Sequence, residues 1–519
     1  MRVYTHPRTK TRMRTIQLLA LVKSEISEFI NIMDLSDLSF GERVAENESA
    51  KLAEYFVKTE QWNSLLAGKV DVIFGSKGAG KSALYTLLMN ENGNLLQEGI
   101  VLLSAEKPTG QTVFSDITSA PPTSESEFVS LWKIYLCQLI TDWLMSNDKC
   151  EGDAEIVSMH LIDAGLLEDD NTLRKLVNRA KSFAKKLVSI DSLEGGVSLE
   201  GGINGKITFK EPSVKEQKNG YRSIDELLSK LNNHLEKLNI SIWVLCDRLD
   251  VAFDESMDLE KNALRALFKV YRDIEEYSAI RLKIFLRDDI WRRITHEGFR
   301  EASHITRATT ISWTDRNLMN LIMSRALKNR IVVETYNVDP DDILSDYEKQ
   351  VELYYRIFPD QVDVGEKQSD TFSWIKSRVR DGLNNVAPRE LIHFYNESVS
   401  HERKEQDIGN NSVEEPNLLS RQAIKNASYE VSKVRTEQTI FAEYAPLKKY
   451  VLLLQGSKAE HNLESLSRAW NMNMDDAAKI ANELSEIGFF ESRVARIEGI
   501  YKVPFIYRFY LEISQGKAY

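Results

Sequence analysis

The sequence predicts an α/β chain: a mostly parallel sheet flanked by helices, then a helical region and a small C-terminal module. Two observations carry this. Between residues 70 and 290, short apolar runs alternate with stretches of helical periodicity, the rhythm of strand–helix–strand crossovers. One junction in that series, GSKGAGKS at Gly75–Ser82, fits the G-x-x-x-x-G-K-[ST] pattern of a phosphate-binding loop.

Taken in order, Val70–Phe74 is a short apolar run that stops at glycine, and Ser82–Met89 reads as the helix after it. Val101–Ser104 reads as a second buried strand. Pro108, Pro121 and Pro122 then exclude regular structure until Phe128–Leu144 resumes helical periodicity. Residues from about 146 to 220 read as an insertion, with VSLEGGINGKITF suggesting a hairpin. Ile224, Leu227, Leu228, Leu231, Leu235 and Leu238 form one face of a helix. It leads into Ile242–Cys246, apolar enough to be buried on both sides as in a parallel sheet. An amphipathic helix over Leu259–Tyr277 and a strand at Leu282–Leu286 follow.

Beyond about residue 315 the pattern is helical, with Ser398–Pro416 reading as a polar linker or mobile loop. Leu447–Leu454, Leu463–Trp470 and Asp475–Ile487 read as three helices, and Phe489–Val494 and Ile500–Tyr507 as two strands, the order of a winged helix. The expected organisation is a basic arm and helix (1–37), a phosphate-loop core (38–330), a helical lid (331–440) and a winged helix (441–519). The fold class is therefore α/β: a parallel-sheet P-loop NTPase core with a helical lid domain and a C-terminal winged helix.

Composition narrows the function. The chain has 519 residues, 42% of them hydrophobic, yet no run approaches the roughly 18 apolar residues that cross a bilayer. The basic start MRVYTHPRTKTRMR precedes an apolar stretch broken by Lys23 and Glu25, with no small-residue cleavage site, so a cytoplasmic protein without a membrane partner is expected. Three cysteines (Cys137, Cys150, Cys246) make neither a disulfide framework nor a metal site, and the eight histidines are scattered. A net charge of −11 argues against generic nucleic-acid binding, although a local basic patch could still act.

The phosphate loop needs each of its residues. Gly75, Gly78 and Gly80, with Ser76, Lys77 and Ala79 between them, let backbone N–H groups converge on phosphate oxygens, and the following helix adds its positive end. Lys81 supplies a cation for the β- and γ-phosphates, and the Ser82 hydroxyl can ligate Mg²⁺. The expected cofactors are ATP and Mg²⁺. Such a loop calls for a second strand ending in an acid, and IWVLCDRLD provides Asp247, a candidate metal-side residue, and Asp250, a candidate to polarise water. Either aspartate could instead cap the next helix. Arg287, at the tip of the strand beside the metal strand, is a candidate sensor of the γ-phosphate; an ion pair with a neighbouring carboxylate is the alternative. Arg292, Arg293 and Arg300 read as a solvated basic face or as arginine fingers for a neighbouring subunit. Phe40–Glu46 and Gln61–Trp62, upstream of the loop, are candidates for a base pocket.

These motifs resemble those of the P-loop ATPases of the broad AAA+/STAND group, and most of all prokaryotic members related to KAP-type NTPases, whose metal strand ends in Asp-x-Leu-Asp, here Asp247–Asp250. The resemblance extends through Ile284–Asp289, Ile311–Arg325 and Asn384–Ser398. It implies that Pro388–Arg389 begins a lid helix that sets Arg389 on the nucleotide, and that the chain acts in bacterial signalling or anti-phage defence. Many AAA+ proteins carry glutamate directly after the metal aspartate; here it is Arg248, which leaves the water-activating residue open and implies slow or partner-triggered hydrolysis.

Three functions compete: an ATP-driven switch controlling a partner or effector, a DNA-dependent remodelling ATPase, and a nucleotide-binding scaffold with little turnover. The partners expected are a second copy of the chain, a separate effector protein, or both. DNA is the less favoured partner, because the third helix of the winged-helix region carries Asp475, Asp476, Glu483 and Glu486 against a lone Lys479. Arg493, Arg496, Lys502 and Arg508 in the wing leave backbone contact open.

Overall fold

In the computed structural model the described residues are 35–43, 48, 52–105, 124–167, 207–208, 213–214, 222–247, 249, 257–296, 298–410, 412–491 and 499–519. The basic N-terminal arm, the proline-rich loop and most of the expected hairpin lie outside them. Two compact units make up the chain: one spans 44–313 with Ala387–Arg389, the other takes 1–43, 314–386 and 390–519.

The first unit is built on a five-stranded parallel sheet, comprising β1 (Val72–Gly75), β2 (Ile100–Ser104), β5 (Ser241–Cys246), β6 (Ile280–Arg287) and β7 (Ala308–Thr310). The spatial order is β2-β5-β6-β1-β7, so β6 separates the phosphate-loop strand from the acidic strand. The short pair β3 (Ile207–Thr208) and β4 (Arg222–Ser223) is also parallel, and Ile207–Thr208 is the only described part of the expected hairpin. The helices used below are α1 (Lys81–Asn90), α2 (Glu125–Ser146), α3 (Asp153–Asp163), α4 (Ile224–Lys237), α5 (Met257–Ile274) and α6 (Asp288–Thr295).

Side chains along a strand alternate between faces, and the core divides accordingly. Val72, Val101, Ile242, Val244, Cys246, Leu282 and Ile284 pack with α2, α3, α4 and α5. Ile73, Leu102, Trp243, Leu245 and Phe285 pack with Leu84, Leu87 and Leu88 of α1. A sheet buried on both faces explains why its strands read as continuous apolar runs. The same alternation assigns Asp247 and Arg287 to the α1 face. Helix α2 starts at a capping box, with Ser124 Oγ accepting from Glu127 N at 3.3 Å and Glu127 Oε2 accepting from Ser124 N at 3.0 Å.

At the opposite end of β1 from the phosphate loop lies a buried ion cluster. Asp71 is 3% exposed and accepts from Lys283 Nζ at 2.7 Å and Arg307 Nε at 2.5 Å. Lys283 is itself fully buried, bonds the Val70 carbonyl at 2.6 Å and lies 4.1 Å over the Trp243 ring.

The second unit is mostly helical, with α7 (Asp315–Ala326), α8 (Tyr347–Ile357), α9 (Thr371–Val379), α10 (Pro388–Asp407, from Glu390 onward) and α11 (Arg421–Arg435). The linker expected at Ser398–Pro416 is helical as far as Asp407. Its polar residues are structural. Glu402 is fully buried and accepts the Ser420 N–H at 2.7 Å, while Arg403 donates to the carbonyls of Leu35, Ser36 and Leu38 at 2.6–2.9 Å. Phe40, proposed for a base pocket, is fully buried against Tyr395 at 5.0 Å and Phe358 at 6.2 Å, and so belongs to this helical core.

The C-terminal part adds α12 (Lys448–Leu452), β8 (Lys458–Asn462), α13 (Leu463–Trp470), α14 (Met474–Glu486), β9 (Ile500–Lys502), α15 (Phe505–Arg508) and β10 (Ser514–Lys517), the strands ordered β10-β8-β9. Two expectations are corrected. The strand expected over Ile500–Tyr507 ends at Lys502 and gives way to α15, because Pro504 supplies no N–H to a ladder and suits a helix start. Phe489 and Phe490, expected to open a strand, lie in a bend after α14 and fill the core, while residues 492–494 lie outside the described part.

Truncating Asp71 leaves Lys283 and Arg307 without their shared anion. Asp71→Ala is expected to destabilise the first unit by about 3–5 kcal/mol, measured by urea unfolding. Burial lowers the Lys283 pKa to about 8 from 10.5, against the pull of Asp71. Between those values the unfolded chain binds the proton more tightly, so stability is expected to rise with pH from about 8 to 10.5. The rise should be smaller in Lys283→Met when both are followed by chemical unfolding.

Candidate functional site

The loop joins β1 to α1, and its backbone is possible only for the residues it has. Gly78 and Gly80 sit at φ +79° and +105°, in the left-handed region that glycine tolerates. At Gly75 a Cβ would come within 3.3 Å of the Ala79 Cβ and 3.4 Å of the Ile311 Cβ, so the chain turns there against its neighbours. Ala79 N–H bonds the Ser76 carbonyl at 3.1 Å. Lys81, the first residue of α1, folds back to donate to the carbonyls of Gly75 at 2.7 Å and Ser76 at 3.0 Å. Ser82 is the second residue of α1, half-buried.

Register brings the other candidates to the same end of the sheet. Arg287 is the Cα partner of Gly75 across the β1–β6 pair. Asp247 follows Cys246, whose Cα partner on β6 is Ile284, and is 4% exposed. Strands of a parallel sheet that end together present their carboxyl-end residues to one crevice, where α/β folds bind ligands. Asp250 and Arg248 lie outside the described residues. Arg287 makes a bidentate pair with Asp289, Nε to Oδ1 at 3.0 Å and Nη2 to Oδ2 at 2.7 Å, which is the ion-pair alternative weighed for it. Pro388 begins α10, and Arg389, its second residue, belongs to the phosphate-loop unit and is half-buried.

Of the candidate arginine fingers, Arg293 is engaged with Glu260, while Arg292 and Arg300 are exposed. Trp62 is a core residue at 5% exposure; Gln61 reaches Ser312 Oγ at 3.5 Å.

Sequence reasoning missed two residues of the site. Burial pushes the Asp288 carboxyl above the usual carboxylate range, against the positive charges of Lys81 and Arg292 and with Asp289 adding to the push. Asp288 therefore brings a carboxyl within electrostatic reach of the loop lysine; its place directly after Arg287 was the available signal. Trp313 donates its indole N–H to the Ala79 carbonyl at 2.9 Å. Nothing in the local sequence ISWTD marks it as a loop contact.

In the C-terminal part, Arg508 is buried at 4%, donating from Nε to the Val503 carbonyl at 2.6 Å and from Nη1 to Gln515 Oε1 at 2.6 Å. Lys502 pairs with Glu491 at 3.1 Å. Lys502 and Arg508 are thus engaged within the fold, and Arg493 and Arg496 lie outside the described residues. The acidic residues of α14, Asp475, Asp476, Glu483 and Glu486, are all exposed.

No family model and no curated protein matches the sequence. Among solved structures the chain is similar to a Walker-type ATPase of Pyrococcus abyssi, at 12% identity and TM-score 0.38 over 91% of this chain and 96% of that one. It is also similar to the Aeropyrum pernix ORC2 protein in ADPNP–ADP complexes, at 14% identity and TM-score 0.37 over 90% and 92%. A third is the Aeropyrum pernix ORC1 protein in complex with DNA, at 11% and 0.31 over 86% and 83%.

Because Gly80 holds a positive φ and a Cβ there would meet Trp313 Cζ2 only at an ordinary 3.9 Å, Gly80→Ala would strain the backbone by about 1–3 kcal/mol without a steric clash. The expected result is a melting temperature lowered by a few degrees and a smaller ADP-induced rise in it, read by scanning calorimetry.

Proposed function

We propose that the chain binds and hydrolyses ATP as an AAA+-class switch whose nucleotide state controls a protein partner or effector. The observation that carries this is the strand–loop–helix at Gly75–Ser82, with Asp247 and Arg287 at the ends of the two strands that follow β1 in the sheet order.

In this reading the loop amides and Lys81 hold the β- and γ-phosphates, the lysine exchanging its two loop carbonyls for phosphate oxygens. Ser82 and Asp247 would hold Mg²⁺, whose charge would offset that of the phosphates. The donor set suits a hard cation: a hydroxyl at the helix start and a buried carboxylate on the same face of the sheet. Arg287 would leave Asp289 to meet the γ-phosphate, and Arg389 would reach the nucleotide from the start of α10. Asp250 is assigned to orient water. With Arg248 where many relatives carry glutamate, turnover is expected to be slow until a partner binds.

A protein partner is favoured over DNA because the exposed face of α14 is acidic and two of the cations expected in a wing, Lys502 and Arg508, are already engaged. We assign residues 441–519 to a winged helix that docks protein or controls the lid. Assembly with further copies of the chain and a role in bacterial anti-phage defence rest on the AAA+/STAND resemblance.

The test is steady-state phosphate release by wild type and Lys81→Ala, each with and without duplex DNA. Mg²⁺-dependent turnover, reduced at least about 100-fold by the substitution and indifferent to DNA, is the expected result. Strong stimulation by DNA would replace the switch with a remodelling ATPase. ATP binding without turnover under any condition would leave a scaffold.

A further inference from the structure

We infer that Trp313 is a positioning residue for the phosphate loop: its indole N–H, by holding the Ala79 carbonyl, aims the Gly80 N–H at bound phosphate. The inference rests on the nucleotide-binding reading above and extends it to a residue outside the motif. The Ala79–Gly80 peptide is trans and planar, so its carbonyl and its N–H point in opposite directions. Trp313 Nε1 bonds that carbonyl at 2.9 Å, which turns the Gly80 N–H to the side of the loop away from the indole. Rotation about this peptide would otherwise be cheap, because glycine at φ +105° has no Cβ to restrict it. The nearest side-chain atom to a Cβ at Gly80 would be Trp313 Cζ2, at 3.9 Å, so the ring lies along the loop as well as bonding it.

The segment bearing Trp313 is fixed to the same loop by independent contacts. Ile311 N–H bonds the Phe74 carbonyl at 2.8 Å, and the Ile311 side chain packs where a Cβ at Gly75 would fall. Trp313 thus approaches from a chain already registered to β1. A preset peptide spares the ligand the cost of ordering it, which is how a group that never touches phosphate can raise affinity for it. Trp313 is also the last residue of its unit before Thr314, which caps α7 by accepting from Asn317 N at 3.2 Å.

The experiment compares wild type, Trp313→Phe and Lys81→Ala by calorimetric titration with Mg–ADP, together with melting in the absence of nucleotide. Phenylalanine keeps a ring and removes the donor. The expected result is an ADP affinity lowered about 3- to 10-fold in Trp313→Phe, the range for one hydrogen bond, with the nucleotide-free melt little changed. Wild type should show an ADP-dependent change in tryptophan emission that Trp313→Phe lacks. An unchanged affinity, or an emission change of the same size in both, would overturn the inference. Failure of wild type to bind ADP at all would overturn the nucleotide reading and this inference together. If Trp313→Phe does not fold, hydrogen exchange on wild type decides: ADP should slow exchange at 79–81 and 312–313 together, and protection of the loop alone would sink the idea.

Discussion

The phosphate loop ends a strand, β1, that lies in the interior of the sheet, and one buried carboxylate, Asp71, fixes the register that strand takes. Asp71 lies at the base of β1 and draws in Lys283 from β6 on one side and Arg307, just before β7, on the other. Both neighbours of β1 are therefore tied to it by charge as well as by backbone ladders. An isolated ion in such a place would be prohibitive, and even a pair is at best a small net gain. What the cluster offers is specificity. A strand slipped by one residue would turn Asp71 away from Lys283 and leave both buried without a counter-charge. The register that satisfies the cluster is the one that sets Gly75 beside Arg287 at the other end.

The first unit was legible wherever burial on two faces writes a continuous apolar run. Strands at Val72–Gly75, Ile100–Ser104, Ser241–Cys246 and Ile280–Arg287 fall within a residue or two of the expected positions. The motif at Gly75–Ser82 was legible because its backbone demands glycine at fixed places. Trp313 was not, since its contact arises from tertiary approach after β7 and leaves no trace in spacing. The C-terminal part was read less well for a related reason. Strand β8 has the sequence KAEHN, and only Ala459 and His461 point inward, too short and polar an alternation to stand out.

Counting charges misled where the charges are internal. The run HERKEQD looks like a solvated linker, yet Glu402 caps one segment and Arg403 ties down another. Arg508 looks like part of a basic wing, yet it lies over the Phe505 ring at 4.1 Å and is satisfied within the fold. Arg435 belongs to the same class: buried, it pairs with Glu390 at 3.0 Å and with Asp381 at 3.4 Å. Each case follows one rule. A cation whose stem packs in a core and whose head meets carbonyls or carboxylates is a structural element, and only the fold reveals which cations those are.

The same rule governs the candidate site. Lys81 bonds two carbonyls of its own loop, and Arg287 is paired with Asp289. A phosphate must compete with these partners, so its net gain is the difference between two sets of charge-assisted bonds and falls well below the sum of the new ones. That competition favours ligands able to replace both sets at once. In the function proposed above, a nucleotide with a γ-phosphate would engage Lys81 and draw Arg287 from Asp289, whereas a diphosphate would satisfy only the first. In that reading, discrimination between the two nucleotide states would follow from where the cations already rest, and a switch would need that difference more than tight binding.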